Sequence, residues 1–294
     1  MSVHPITEFD LFFLSYDEPN AEKHWADLLN KAGWAERVHG VKGFEAAHRA
    51  CAEKSNTDWF ITVDADNIVL PEFFDQSVEL DTEKSPNRCY SWNGLNMMNG
   101  LMYGNGGLKL WSKAFVLGGG VGHEASADPR HAVDFCWQDD YVQINKTFSE
   151  VWNTGSAYQA FRVGFREGVK LTLDRGERVP ARDMKRRLHN MNLRNIRIWS
   201  SVGADVDFGT YAILGARMGW AKMLDPDFDH VRVRDYDWFE SIWVETQDRV
   251  ATRSIDDICA ELGTEIEKLT GIGVPLLGKS ESEFFRESFR LRNE

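Results

Sequence analysis

The apolar and polar positions of the first seventy residues follow two alternating rhythms. "FDLFFLSYDEPN" opens with an apolar run from Leu11 to Leu14 and breaks at Ser15-Tyr16-Asp17-Glu18-Pro19, which reads as a strand followed by a turn. "AEKHWADLLNKAG" puts Trp25, Leu28 and Leu29 at helical spacing and stops at Gly33. A short strand over Arg37 to Val41 leads to Lys42-Gly43, and "FEAAHRACAEK" carries Phe44, Ala47 and Cys51 at i, i+3, i+7. Trp59 to Val63 is again β-favouring. Strand, helix, strand, helix, strand predicts an α/β fold with a doubly wound sheet covered on both faces. Ligands of such sheets bind outside the carboxyl ends of the strands. Ser15-Tyr16-Asp17, Val41-Lys42-Gly43 and Asp64-Ala65-Asp66 therefore converge on one crevice.

Further on, "RCYSWNGLNMM" and "NGLMYGNGGLKLWSKAFV" read as strands joined by glycine-rich turns, and "VDFCWQDDYVQI" as an apolar segment ending in acids. Tyr158, Phe161 and Phe165 give the stretch from Thr154 to Lys170 a helical pattern. After Arg197 the pattern is mainly helical, with "FGTYAILGARMGWAKML", "YDWFESIWVETQDRVAT" and a serine-capped "SIDDICAELGTEIEKLTG". The expected organisation is a domain over 1–200 and a helical C-terminal region over 201–294.

Composition sharpens this picture in three places. Forty-three per cent hydrophobic residues and 11 Trp give a chain of 294 residues enough material for a large core, which excludes disorder as the default. Four cysteines without a CxxC pair fit a reducing compartment and carry no zinc signature. The N-terminus has no signal-peptide pattern and no run suits a membrane span, so a cytoplasmic protein without membrane contact is expected. The net charge of −12 is uneven: Ala160 to Trp199 holds eleven Lys/Arg and four acids, a local +7 against −19 elsewhere. The cations of Arg162–Arg197 form either a solvated helix face or an anion-binding surface for a diphosphate or for duplex DNA.

Asp64-Ala65-Asp66 is the sharpest chemical signal. A buried strand should stop before it buries a charge, so both carboxylates sit at a strand end. Strand alternation puts them on one side of the chain, a donor set for a hard divalent cation. The plain alternative is a structural turn.

This ordered set of motifs resembles the GT-A class of glycosyltransferases, in which a DxD holds Mn²⁺ or Mg²⁺ against a nucleotide-sugar diphosphate. "FLSYDEP", "GFEAAHRA", the DxD and "GNGGLKLWSK", similar to a segment of fringe-like members, follow that order over residues 8–200. More loosely, the first third resembles bacteriophage glycosyltransferases that modify hydroxymethylated DNA bases. The resemblance implies a GT-A-like mixed sheet with a Rossmann-like half that binds a nucleotide-sugar donor. Asp64 and Asp66 would hold the metal, with His189 as third ligand and His123 and His131 as rivals. Ser15, Tyr16, Asp17, Lys42, Gly106 and Gly107 would contact the donor; a surface turn or a plain glycine turn, Gly104 included, is the alternative. "CWQDDY" resembles the acidic pair of inverting members, so Asp140, or less favourably Asp139, would be the catalytic base. A helix N-cap for "YVQINKTF" competes with that role. The acceptor expected from the phage likeness is a 5-hydroxymethylpyrimidine in DNA, flipped from the duplex, with a carbohydrate as alternative. A nucleotidyltransferase would place a glycine-rich loop after the first strand, and "SYDEPNAE" has no glycine. A sugar-nucleotide-binding protein without activity is the remaining alternative.

Overall fold

The computed structural model describes residues 2–80, 88–104, 106–120 and 140–293. The chain forms two compact units, and the second begins in the main at Asn153. The second unit thus starts well before the boundary near 200 suggested by the helical pattern.

The first unit carries β1 (Ser2–Pro5), β2 (Asp10–Ser15), α1 (Ala21–Lys31), β3 (Glu36–His39), α2 (Phe44–Lys54), β4 (Trp59–Asp64), β5 (Asn67–Val69), β6 (Ser77–Leu80), β7 (Cys89–Asn96), β8 (Met102–Tyr103), β9 (Lys109–Ser112), α3 (Lys113–Leu117) and β10 (Tyr141–Val151). Its main sheet runs β3-β2-β4-β9-β7-β10-β5, with β8 beside β7. β2 pairs in parallel with β3 and with β4; β9 is antiparallel to both β4 and β7, and β10 is parallel to β7. This is a mixed α/β sheet, as the sequence predicts, with apolar residues on both faces. Leu11, Phe13, Ile61, Val63 and Leu110 pack on one face with Ala21 and Leu28 of α1. Phe12, Leu14, Phe60, Trp111 and Cys89 pack on the other with Cys51 and Ala52 of α2.

The second unit carries α4 (Ala157–Lys170), a ribbon of β11 (Leu173–Asp174) and β12 (Glu177–Arg178), then α5 (Met184–Arg187), α6 (Asn190–Trp199), α7 (Gly209–Leu224), α8 (Tyr236–Thr252), α9 (Ile255–Thr270) and α10 (Lys279–Asn293). Its axis is the pair α4 and α7. Added Cβ atoms on Gly164 and Gly168 would lie 2.0 and 2.4 Å from the carbonyl oxygens of Ala212 and Ala216. The reciprocal ones on Gly215 and Gly219 would lie 2.1 and 2.2 Å from those of Phe161 and Phe165. Glycines four apart on each helix bring the two backbones into direct contact.

Arg217 of α7 is 1% exposed. Its guanidinium donates to the carbonyls of Ser200 at 2.7 Å, Cys259 at 2.6 Å, and Val274 and Pro275 at 3.0 Å each. One side chain thereby ties the end of α6, α9 and the chain before α10 to α7. Among the described residues no helix is long and apolar enough to cross a membrane.

Candidate active site

Three strand ends meet at the carboxyl edge of the sheet. Ser15, the last residue of β2, is buried; its Oγ accepts from Arg37 Nε at 2.8 Å and lies 2.9 Å from His39 Nδ1. The hydroxyl is occupied by β3 side chains and anchors the loop that follows. Tyr16 and Asp17 are exposed, and the Tyr16 amide donates to Glu18 Oε2 at 2.7 Å, which curls the loop back over the edge. Lys42 is exposed between Gly40 and Gly43, both at positive φ, and the Gly40 amide donates to the Ser15 carbonyl at 3.0 Å.

β4 ends on Asp64. Strand alternation does not continue through the motif: Ala65 and Asp66 form a turn and β5 starts at Asn67. The turn is clamped from two sides. His24 of α1, buried, donates from Nδ1 to the Ala65 carbonyl at 2.8 Å, since a carbonyl can only accept. The Trp152 amide donates to the Asp66 carbonyl at 2.7 Å, and Asn20 Nδ2 donates to the Trp152 carbonyl at 2.7 Å. Asn67 donates from Nδ2 to Asp66 Oδ1 at 2.6 Å and accepts on Oδ1 from the Gly107 amide at 3.2 Å. The Gly107 carbonyl in turn accepts from the Asp64 amide at 3.3 Å. A Cβ on Gly107 would lie 2.2 Å from Asp64 Cβ, so only glycine leaves room for that carboxylate. Gly106 likewise lies against Gly94, where a Cβ would meet its backbone nitrogen at 3.1 Å.

The electrostatics follow from this crowding. Burial first, then the neighbouring Asp64 and Glu18 carboxylates, push Asp66 up to about 7, against the Asn67 donor that pulls it down. Burial also holds His24 below the ordinary histidine value, so its imidazole stays neutral while it props the turn. No cationic side chain among the described residues pairs with Asp66. A buried carboxylate without a cationic side-chain partner among the described residues, as Asp66 is, suits a divalent cation. Among the described residues no three His, Cys, Asp or Glu side chains form a closed cage. Such a cation would complete its shell with water and phosphate oxygens, as Mg²⁺ does when one or two carboxylates hold it.

Asp140 corrects the sequence expectation. It is exposed and precedes β10 instead of ending a strand, and its carbonyl accepts from the Cys89 amide at 2.9 Å. Tyr141 pairs with Cys89, Cys89 with Trp111, and Trp111 with Phe60, so Asp140 stands level with Trp59, at the amino edge. At ~3.3 Å per residue it is roughly 17 Å from Asp64 along the strands, out of reach for a base at the crevice. Apolar residues flank the two acids on both sides in the sequence, which hid the direction. Asp139, His123 and His131 lie outside the described residues.

His189 belongs to the second unit, where it caps α6 by accepting the Met191 amide on Nδ1 at 3.3 Å. The basic stretch is in that unit too, and many of its cations have partners there. Arg178 donates to the carbonyls of Met223, Asp225 and Phe228; Arg187 faces Asp174 at 3.6 Å; Arg186 faces Asp183 at 3.2 Å; Arg197 donates to the Gly273 carbonyl at 3.2 Å.

Sequence reasoning missed Glu18, His24 and Asn67. His24 had a legible signal: it sits four residues before Leu28, on the inward face of an amphipathic helix. Glu18 and Asn67 had none beyond their nearness to the motifs.

The chain matches no protein-family model and no curated protein. Among solved structures, a glycosyltransferase involved in the glycosylation of the major capsid of PBCV-1 aligns with 46% of this chain and 82% of its own length, at 14% identity and a TM-score of 0.31. A superposition that loose assigns nothing to this chain, and the functional reading stands on the strand-end geometry.

Proposed function

We propose that the first unit is a divalent-cation-dependent glycosyltransferase that uses a nucleotide-diphosphate sugar. One observation carries the reading: Asp66 is wedged against Asp64 and Glu18 with no cationic partner among the described residues, at the carboxyl edge of a mixed α/β sheet, where ligands of such sheets bind. A bound Mn²⁺ or Mg²⁺ would neutralise charge on the departing diphosphate. The chain's own groups do the rest. Asp64 and Asp66 hold the ion, with Glu18 beside them. Exposed Tyr16 offers a face for the nucleotide base, Asp17 an acceptor and Lys42 a charge for phosphate. Gly106 and Gly107 keep the floor low under the sugar. His24 and Trp152 fix the turn so that the carboxylates need not reorganise.

The test is nucleotide release from a panel of UDP-, GDP- and ADP-sugars with and without Mn²⁺, for the wild-type chain and Asp66→Ala. Release that requires both the metal and Asp66 is the expected result. No release from any donor, together with no Mn²⁺ binding, overturns the proposal and leaves the motif a structural turn. Running each donor with hydroxymethylcytosine-containing duplex and with free saccharides separates the two acceptors that the sequence suggests.

A further inference from the structure

The same sheet carries a second polar device, on β7 and β10. Register puts Phe60, Thr62 and Asp64 of β4 on one face with Lys109 and Trp111 of β9, Cys89, Ser91 and Asn93 of β7, and Tyr141 and Gln143 of β10. Three of these form a relay. Gln143 Nε2 donates to the Ser91 carbonyl at 3.1 Å and to the Ile144 carbonyl at 3.3 Å, which fixes the amide's orientation because carbonyls only accept. Asn93 must then present Oδ1 to Gln143 Nε2, at 2.8 Å, while Tyr141 OH donates to Gln143 Oε1 at 2.9 Å. The Gln143 NH₂ is fully used, and the Asn93 NH₂ is left without an acceptor among the described residues. Beneath it the Ser91 hydroxyl is fully buried and finds no partner among the described residues either. A Cβ at Gly104 would meet Gln143 Oε1 at 2.3 Å, so a glycine lies directly on the relay.

Asn93 and Asp64 are level on this face, separated by the β9 line, where Gly107 contributes no side chain. Two inter-strand steps put them about 10 Å apart, a span suited to one sugar residue. The relay is neutral, and the face's cation, Lys109, is tied to the Gly106 carbonyl at 2.7 Å. A polyanion needs cations to hold its phosphates; a pre-oriented carboxamide beside a phenol suits hydroxyl groups. We infer that Asn93, positioned by Gln143 and Tyr141, binds a hydroxyl of a neutral saccharide acceptor beside Asp64. For the reaction this rests on the proposed function; for the binding it does not.

The test reads binding directly. Saturation-transfer NMR on the full chain would use methyl glucosides, mannosides, galactosides and N-acetylglucosaminides as probes, with a hydroxymethylcytosine duplex as competitor. Wild type should bind at least one saccharide, and Asn93→Ala should weaken it about tenfold, the loss expected for one oriented hydrogen-bond group. Gln143→Met, which releases the carboxamide, should weaken it too. If Asn93→Ala fails to fold, Asn93→Ser carries the comparison and should show the same loss. The inference is overturned by a wild type that binds no saccharide, by unchanged binding in the foldable Asn93 variant, or by a duplex that binds in an Asn93-dependent way while saccharides do not. Absence of metal-dependent donor turnover alongside intact, Asn93-dependent saccharide binding would sink the transferase reading alone.

Discussion

Replacing Asp66 with asparagine should make the metal-free protein more stable at alkaline pH. The wild-type carboxyl is pushed from its ordinary 3.8 to about 7, so the folded chain holds a proton that the unfolded chain releases earlier. Stability therefore falls as pH rises from about 4 to about 7, and is lowest once Asp66 is ionised beside Asp64 and Glu18. The interval is about three pH units at ~1.4 kcal/mol each, or about 4 kcal/mol as an upper figure. Asparagine keeps the oxygen that accepts from Asn67 and removes the charge, so most of that penalty should disappear. At a urea slope of roughly 2–3 kcal/mol per molar, the midpoint for the first unit should rise by about 1 M or more at pH 8 in EDTA. The gap should close near pH 4, where both chains are neutral at this position. Adding Mn²⁺ should stabilise wild type and leave Asp66→Asn unmoved. An Asp66→Asn chain no more stable than wild type at pH 8 in EDTA would refute the electrostatic account of the site, as would a pH-independent gap.

Other outcomes follow from single contacts. His24→Ala should cost ~1–3 kcal/mol by orphaning the Ala65 carbonyl, measured by urea unfolding at pH 8, and should weaken Mn²⁺ binding as the turn loosens. Because burial lowers the His24 value, its own contribution to stability is lost as pH falls below about 6.5, opposite in sign to that of Asp66. Gly107→Ala should cost ~1–3 kcal/mol by overpacking, and calorimetry should show Mn²⁺ affinity falling as Asp64 is displaced. Arg217→Met should destabilise the second unit by at least ~3 kcal/mol, because the carbonyls of buried Ser200, Cys259 and Val274 lose their donor; a Tm shift below a degree would show that water replaces it. Cys51, Cys89 and Cys259, whose thiols burial pushes up, should resist iodoacetamide in the native state and react in urea, read by site-resolved mass spectrometry.

The βαβαβ half of the sheet was legible because its signals are local. Leu11 to Leu14 and Trp59 to Val63 are buried on both faces and read as continuous apolar runs, and Asp64 marks where burial ends. The other half was harder, because its partners are distant in sequence. β10 pairs with β7 across some fifty positions, and nothing near Asp140 tells whether a strand begins or ends there. The strand end at Asp64 was legible and the local geometry was not: a turn, and not strand alternation, brings Asp66 to Asp64. Neither the clamp by His24 and Trp152 nor the Gln143–Asn93 relay could be read beforehand, since each exists only once α1, β7 and β10 are docked on the sheet.

The glycine pairs of α4 and α7 have a consequence for how tolerance to mutation should be interpreted. A saturation scan would find Gly164, Gly168, Gly215 and Gly219 refusing every replacement, with the severity usually taken to mark a reaction centre. The nearest atoms to an added Cβ at all four are backbone atoms of the facing helix. What such a scan would measure there is the distance between two helix axes. Intolerance at these glycines therefore reports packing, and under the proposed function only a profile that also excludes isosteric polar swaps, as expected at Asp64 and Asp66, would report chemistry.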